Sequence, residues 1–541
     1  MNSSKKYIDL YYILPLILLS FYYSIDKFTL QSAVDGGLVL SQFVEFPKNF
    51  SNVTSIFFNG WTILHQFSFV LLKLNFSVNS ISMIFTFIII IFYALGIFYL
   101  TLGISKSRKL ALILSLFVII TRESFGDVDY PVLFFSEHTY GAFSLASFTL
   151  LVGFLSNNNF KMAGVMSALL FATHLVVGVW VICLYIFCYI VSQLLFKDSN
   201  KINYKKIFLG ISFLIIPLLL SFIFFRYNVI EKSFFHLSDF QIYLNQWDAH
   251  RNIFSINYDY IGKTFFLLTI IMIYIFYFRN KNNHIMFLFI LISCVGSMII
   301  YLLYKFLPNL FPLIVIRAMP TRLFLLHSVV GYPIIISILF CFSKKTKFYP
   351  NINFNYLKKF FLIIFIFSFL FLILGVGDLV KKTNQFYTNK IEKRFQKLTN
   401  TFTRQDKIDE DIFWKKIHDI ELNGYFVTTF NSSGPTLRYG KKPYLINTSY
   451  FDHVPYHPYT ATEVKLIIED VYEIPFKSPP TKFLAVLIDD WFKETFEKRS
   501  ILDWKMLSNK YNISGIIVPS DWNLQIQEKI ISKKFTAYIL N

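Results

Sequence analysis

Charged side chains are scarce in this sequence. Only 16% of its 541 residues are Asp, Glu, Lys or Arg, against about a quarter in an ordinary soluble domain. With a mean hydropathy of +0.51, that scarcity excludes an ordinary soluble globular chain. Cysteine is scarcer still. Cys183, Cys188, Cys294 and Cys341 all sit in apolar runs, which excludes a disulfide framework and a cysteine-based zinc site. The sequence has no Gly-rich phosphate loop, no H-E-x-x-H and no G-x-S-x-G, so nothing points to ATP-driven or serine-hydrolase chemistry. The first apolar run lacks a small-residue cleavage site and is expected to stay as a signal-anchor helix. No internal repeat and no low-complexity segment is visible. The 65 Phe residues accompany abundant Ile, Asn and Lys, a bias that AT-rich codons produce, and they are not read as a binding surface.

What is present is a series of long apolar runs. A membrane-spanning helix needs about 20 mostly apolar residues, and candidate spans fall roughly at 8–25, 81–103, 109–121, 139–156, 161–175, 177–196, 206–226, 263–279, 285–306, 322–342 and 357–377. The fifth and sixth are one continuous apolar stretch around His174, which a single long helix would also explain. Charge distribution checks the count. With Lys5 and Lys6 inside, the loops on that side hold Lys106, Arg108 and Lys109; Lys161; Lys197, Lys201, Lys205 and Lys206; Arg279 and Lys281; and Lys344, Lys345, Lys347, Lys358 and Lys359. Against them stands one acid, Asp198. This is the positive-inside pattern. The net charge of +19 follows from these clusters, and no nucleic-acid partner is expected.

The expected fold is therefore a polytopic α-helical membrane bundle of about 11 transmembrane helices, with the N-terminus cytoplasmic. Long outside loops are expected at 26–80, 122–138 and 227–262, with a shorter one at 307–321. The membrane domain covers 1–380. Beyond it the composition shifts, and 381–541 is expected to be a small extracytoplasmic α/β domain. Residues 381–420 read as a charged helical connector. Candidate strands start at Tyr425, Pro443, Phe483 and Gly515, and helical patterns cover 461–472 and 500–511. The segment Ser432-Ser-Gly-Pro435 reads as a turn.

The acids select one side. Asp35, in Ala33-Val-Asp-Gly-Gly37, follows the first span, and is either a metal ligand or catalytic base, or part of an Asp-Gly turn. Asp127 and Asp129 form a D-x-D in the second outside loop, just before Glu137 and His138. Two carboxylates at that spacing suit a hard divalent cation, Mg or Mn, and equally suit a solvated loop. His174 is deep in apolar sequence, where an ionisable residue is a functional candidate and a satisfied core histidine the alternative. Asp248, His250 and Arg251 bring an acid, a base and a cation into the 227–262 loop. Arg317 and Arg322 flank Pro320 at the outside end of a span. Guanidinium groups grip phosphate oxygens through two bonds at once, so both are candidate lipid-phosphate ligands, with helix anchoring at the headgroups as the other role for Arg322. Asp452, His453 and His457 suit a metal or a polar loop.

On these residues the chain resembles the GT-C superfamily of membrane glycosyltransferases, which use polyprenol-phosphate-linked sugars. The likeness lies in the polytopic bundle, the long first outside loop with Asp35 just after the first span, the acidic pair Asp127 and Asp129, and the outside C-terminal domain. It covers about 1–380. The resemblance implies that Asp35 is base or metal ligand, that Asp127 and Asp129 help bind a divalent cation, and that Arg317 contacts lipid phosphate. It implies a lipid-linked sugar donor, a glycan, lipid or protein acceptor, and a place in the cell envelope and polysaccharide biosynthesis of a bacterial inner membrane. The W-W-D signature of oligosaccharyltransferases is absent, and Asp489-Asp-Trp-Phe492 does not replace it, so protein N-glycosylation is not expected. Two other outcomes stay open: an O-antigen ligase or polymerase-like enzyme using His250 and Arg251, and a non-enzymatic transporter or scaffold.

Overall fold

The computed structural model describes residues 3–26, 28–47, 62–121, 138–195, 208–212, 236–248, 258–278, 284–307, 327–343, 404–449 and 454–540, with the single positions 58, 205, 215 and 451. Along the chain run α1 (Ser3–Asp26), α2 (Ala33–Leu40), α3 (Ile63–Lys73), α4 (Val78–Ser105), α5 (Arg108–Thr121), α6 (Thr139–Ser156), α7 (Phe160–Thr173), α8 (Leu175–Leu195), α9 (Leu237–Gln246), α10 (Tyr258–Phe278), α11 (His284–Phe306) and α12 (His327–Ser343). There follow α13 (Arg404–Asp419), β1 (Tyr425–Thr428), α14 (Ser433–Arg438), α15 (Ala461–Asp470), α16 (Lys493–Lys498), α17 (Ile501–Tyr511), β2 (Ile513–Pro519), β3 (Lys529–Ile531) and β4 (Phe535–Ile539). The protein is predominantly helical with a small C-terminal sheet. It divides into two compact units. One comprises Met1–Ser32, Asn79–Phe224 and Ile256–Asn389, the other Ala33–Val78, Phe225–Ser255 and Lys390–Asn541.

The first unit is all helix among the described residues. Two of its helices, Val78–Ser105 and Thr139–Ser156, are long and apolar enough to cross a membrane. Shorter apolar stretches lie in α1, α7, α8, α10, α11 and α12. The expected run 357–377 lies outside the described residues, and 206–226 does so for the most part. Leu16 of α1, Ile90, Ala94 and Phe98 of α4, and Ala111 and Ile119 of α5 form one buried cluster. The outer sides of these helices are apolar too. Leu14 and Leu18, Ile113 and Phe117, Phe187 and Ile190, and Ile299 and Leu302 are all exposed, which suits hydrocarbon as the surrounding medium.

Helices α4 and α6 touch through backbone. A Cβ on Gly96 would stand 2.6 Å from the nitrogen of Leu150, and one on Gly153 would stand 2.6 Å from the carbonyl oxygen of Gly96. Small residues permit such approach where no hydrophobic force drives helices together. Several hydroxyls within the apolar helices bond back to their own chain, while those of Thr101, Ser144 and Ser147 are buried without a hydrogen-bond partner among the described residues. Thr86 donates to Ser82 O, Ser115 to Ala111 O, Thr149 to Leu145 O and Ser167 to Ala163 O, all at 2.8–2.9 Å, which satisfies these donors without solvent.

The apolar stretch around His174 is two helices. His174 itself adopts φ −143° and ψ 90°, outside helical space, and its Nδ1 accepts the Val177 N–H at 3.5 Å. Gly178 therefore makes room for a neighbouring helix: its Cβ would lie 2.1 Å from the Cα of Phe171.

The second unit carries a four-stranded sheet in the order β1-β2-β4-β3. Strands β1 and β2 are parallel, and β4 runs antiparallel to both β2 and β3. Phe413, Trp414 and Ile417 of α13 pack on Phe426, Ile517, Phe535 and Ala537 of the sheet. The charged connector is thus, over its described part, a layer of the domain core. Beside the sheet, Tyr472, Phe492, Phe496, Trp504 and Trp522 interlock with ring centroids 4.9–5.8 Å apart. Helix α17 starts at a capping box made by Ser500 and Asp503 and stops at Asn512, left-handed at φ 54°, from which the chain enters β2. Two expected strands are corrected. The Pro443 segment contributes one isolated bridge, between Phe426 and Tyr444. The Phe483 run is no strand, because Phe483 and Ala485 both take left-handed φ, 63° and 52°. The Ser-Ser-Gly-Pro segment is the start of α14 rather than a turn.

Candidate functional site

Asp35 sits in the first turn of α2, not in a turn between elements. The two glycines after it serve packing. A Cβ on Gly36 would lie 2.3 Å from Cδ2 of His65, and one on Gly37 would lie 2.4 Å from Cβ of Ser68. Helix α3 therefore lies directly on α2, with Leu64, His65, Ser68 and Leu72 buried against it. Its entry is fixed by Thr62, whose hydroxyl accepts the Leu64 N–H at 3.4 Å. This arrangement leaves the Asp35 residue only 2% exposed.

A buried carboxylate needs a partner, and Asp35 has one. Arg438, at the end of α14, donates Nε to Oδ1 at 2.6 Å and Nη2 to Oδ2 at 2.8 Å. Arg438 is itself 6% exposed. The contact is the two-pronged guanidinium–carboxylate pairing, the strongest common form of ion pair. Burial pushes the Asp35 carboxyl up from its ordinary value, while Arg438 and, more weakly, Lys441 pull it down.

Around the pair the second unit adds two further groups. Tyr444 is buried, accepts a bond from Asn447 Nδ2 at 3.1 Å, and has its hydroxyl pushed well up by burial and then by the Asp35 charge. Lys441 is partly buried and its amine is pushed down to about 8 by burial, against the pull of Asp35. The lysine follows the tight exit of α14, where the Gly440 N–H bonds Pro435 O at 3.2 Å. Its backbone is left-handed, at φ 50°.

The same unit takes in Phe225–Ser255, of which residues 236–248 are described. Trp247 Nε1 donates to Phe476 O at 2.8 Å, and its ring stacks on Phe476 with centroids 5.8 Å apart. Tyr243 OH donates to Phe451 O at 3.3 Å, and the Phe483 N–H to Gln246 O at 2.7 Å. Asp239 pairs with Lys465 at 3.1 Å. Asp248, fully buried at the end of this segment, turns its N–H to Tyr243 O at 3.1 Å.

The other expected site residues fall elsewhere. His138 precedes α6 and is partly buried, with no side-chain bond to the helix end. His174 marks the α7–α8 break. Asp127, Asp129, Glu137, His250, Arg251, Arg317, Arg322, Asp452 and His453 lie outside the described residues. Among the described residues no group of three or more His, Cys, Asp or Glu side chains is placed to hold a metal ion. Asp35 in this arrangement fits a guanidinium rather than a divalent cation, because both its oxygens face Arg438.

Sequence reasoning missed Arg438 and Lys441. Their signal is modest: Arg438-Tyr-Gly-Lys-Lys442 concentrates three cations beside a glycine. Nothing local links them to an acid 403 positions away. No protein-family model matches this chain, and no curated protein or solved structure matches it.

Proposed function

We propose that the protein is an integral membrane glycosyltransferase of GT-C type, moving a sugar from a lipid-phosphate-linked donor to an acceptor on the extracytoplasmic face of a bacterial inner membrane. In this reading about eleven helices span the bilayer, the N-terminus is cytoplasmic and the C-terminal domain extracytoplasmic. One observation carries it: Asp35, just after the first apolar helix, is buried with Arg438 in a unit built from Ala33–Val78, Phe225–Ser255 and Lys390–Asn541. The described part of that unit holds no helix of spanning length, so its segments belong on one side of a bilayer. That supports one common side for these three segments, as the distribution of Lys and Arg requires.

Asp35 acts as general base. The acceptor hydroxyl gives its proton to the carboxylate, the acceptor oxygen bonds to the anomeric carbon, and the bond from that carbon to the phosphate oxygen breaks. The electron pair leaves with the phosphate, and configuration inverts. Arg317 and Arg322 stabilise that charge. Asp127 and Asp129 are the residues that a divalent cation would use. For Asp35 to accept a proton, Arg438 must release at least one oxygen, so the paired state is a resting state.

The two-pronged contact also favours a second reading, in which the pair is a clasp in a non-catalytic scaffold. Asp35→Asn separates the two. Transfer from a lipid-linked donor is followed in membranes, with insertion and unfolding temperature measured on the same preparation. A folded Asp35→Asn protein with transfer reduced about 10²–10⁴-fold supports the base. Full turnover in that variant removes the transferase role assigned to Asp35.

A further inference from the structure

Helix α3 has two unlike sides. Leu64, His65, Ser68 and Leu72 are buried, on the side that α2 covers. Phe67, Val70 and Leu74 recur at three- and four-residue spacing on the other side, and all three are exposed. Such spacing marks one face of a helix. Phe43 and Phe76 are exposed as well, and both are tied to the end of α3. Lys73 lies over the Phe43 ring at 5.5 Å and donates to Ser41 O at 3.2 Å. Past a left-handed Asn75, at φ 63°, the Phe76 N–H bonds Leu71 O at 3.0 Å.

Apolar side chains gathered in this way are costly in water and mark a surface that something covers. The course of the chain says what lies within reach. Only residues 74–77 separate α3 from α4, which is long and apolar enough to cross a membrane. The steps from Lys73 to Val78 reach at most about 18 Å, so α3 cannot leave the level at which α4 enters hydrocarbon. On the other side residues 27–32 join the apolar helix α1 to α2. The pair of α2 and α3 is thus held at a bilayer boundary from both ends. No acidic residue occurs from 46 to 122, so no carboxylate on this run opposes approach to headgroup phosphates.

We propose that the face of α3 formed by Val70 and Leu74, with Phe43 and Phe76 beside it, lies in the boundary between headgroups and acyl chains, and that lipid is what covers it. This is the mode of an interfacial amphipathic helix. Helix α2 rests on the opposite side, so seating α3 in lipid fixes the depth at which Asp35 is held. The inference rests on the membrane part of the reading above and not on the transfer chemistry.

The test reads what each position meets. A chain with Cys183, Cys188, Cys294 and Cys341 changed to Ala receives one nitroxide at a time through Val70→Cys, Leu74→Cys, Ile113→Cys or Lys505→Cys, in phosphatidylcholine nanodiscs. Collisions are measured with oxygen, which partitions into hydrocarbon, and with a nickel chelate, which stays in water. Exposed Ile113 of α5 reports on the bundle, and exposed Lys505 of α17 reports on water. Positions 70 and 74 are expected to favour oxygen over nickel several times more strongly than position 505, as position 113 does. Nickel contact at 70 and 74 equal to that at 505 overturns the inference. So does weak contact with both reagents, which would mean that another segment or a second copy covers the face. Nickel contact at 113 as well refutes the membrane reading itself, a different failure. The unaltered chain gives an independent check in nanodiscs whose lipid carries a diazirine on its acyl chain. Peptides covering 67–74 should carry cross-linked lipid, and their absence while α5 peptides carry it overturns the inference equally.

Discussion

Arg438 and Asp35 meet through two hydrogen bonds, 2.6 and 2.8 Å long, across 403 residues of sequence. Both side chains are almost entirely buried, so each is the main reason that the other is tolerated as a charge.

Removing one partner alone is therefore the severe change. Asp35→Ala is expected to destabilise the protein by about 3–5 kcal/mol, because it strands a buried guanidinium. Arg438→Met strands the carboxylate instead, which escapes by taking up a proton, and should cost less at low pH than at neutral pH. The double variant should recover part of the loss, since the pair is coupled. Chemical unfolding of all three proteins in detergent measures the coupling. Strict additivity would show that the contact contributes nothing specific.

Lys441 gives a stability that depends on pH. Its folded value is about 8, below the ordinary lysine value of about 10.4. Below pH 8 both folded and unfolded forms carry the proton, and the folded form bears the full cost of the buried charge. As pH rises through 8 the folded form sheds the proton while the unfolded form keeps it. The unfolded state then binds more protons, so stability rises with pH until the unfolded lysine titrates too. Unfolding temperatures compared at pH 7 and pH 9.5 for wild type and Lys441→Met should show the rise in the first and a smaller one in the second.

The contact of Gly36 with His65 tests why α2 and α3 belong together. A side chain at position 36 would start 2.3 Å from the imidazole. Gly36→Val is expected to cost about 1–3 kcal/mol as overpacking. His65→Ala in the same chain should return some of that, because it vacates the space that the valine needs. A Gly36→Val protein of wild-type stability would mean that the helices separate freely.

Much of the helical part was legible because its causes are local. Apolar runs ended by Lys or Arg mark α4 and α6 in sequence as clearly as in structure. The helix at 501–511 carries its own capping box, and that at 461–470 shows its periodicity in Val464, Ile467 and Ile468. The sheet was half legible. Strands β1 and β2 read as short apolar runs, whereas β3 alternates too briefly to notice. Strand β4, Phe535-Thr-Ala-Tyr-Ile539, is buried along its whole length and so lacks the alternation that marks a half-buried strand. The Phe483 run misled because composition does not report φ. For the site, Asp35 was visible by its position after the first run. Arg438 was not, since a pairing across 403 residues leaves no local pattern.

The last expectation concerns sidedness. The sequence sets Lys-rich loops on one side, and the second unit gathers three separate segments, Ala33–Val78, Phe225–Ser255 and Lys390–Asn541. The contact of Trp247 with Phe476 and that of Asp35 with Arg438 hold members of those segments together. If the chain crosses a bilayer, an even number of spans must separate Ala33–Val78 from Phe225–Ser255, and an even number must separate the latter from the C-terminal domain. A reporter enzyme that works only outside the cytoplasm, fused after Asn541, should therefore be active. The same reporter inserted in the basic loop near Lys344 should be silent. Changing Lys344, Lys345 and Lys347 to Gln removes part of the retention signal and should lower the activity of the first fusion by mixing orientations. Activity of the Lys344 fusion alone would invert the topology and move Asp35 to the cytoplasmic side, against transfer on the extracytoplasmic face.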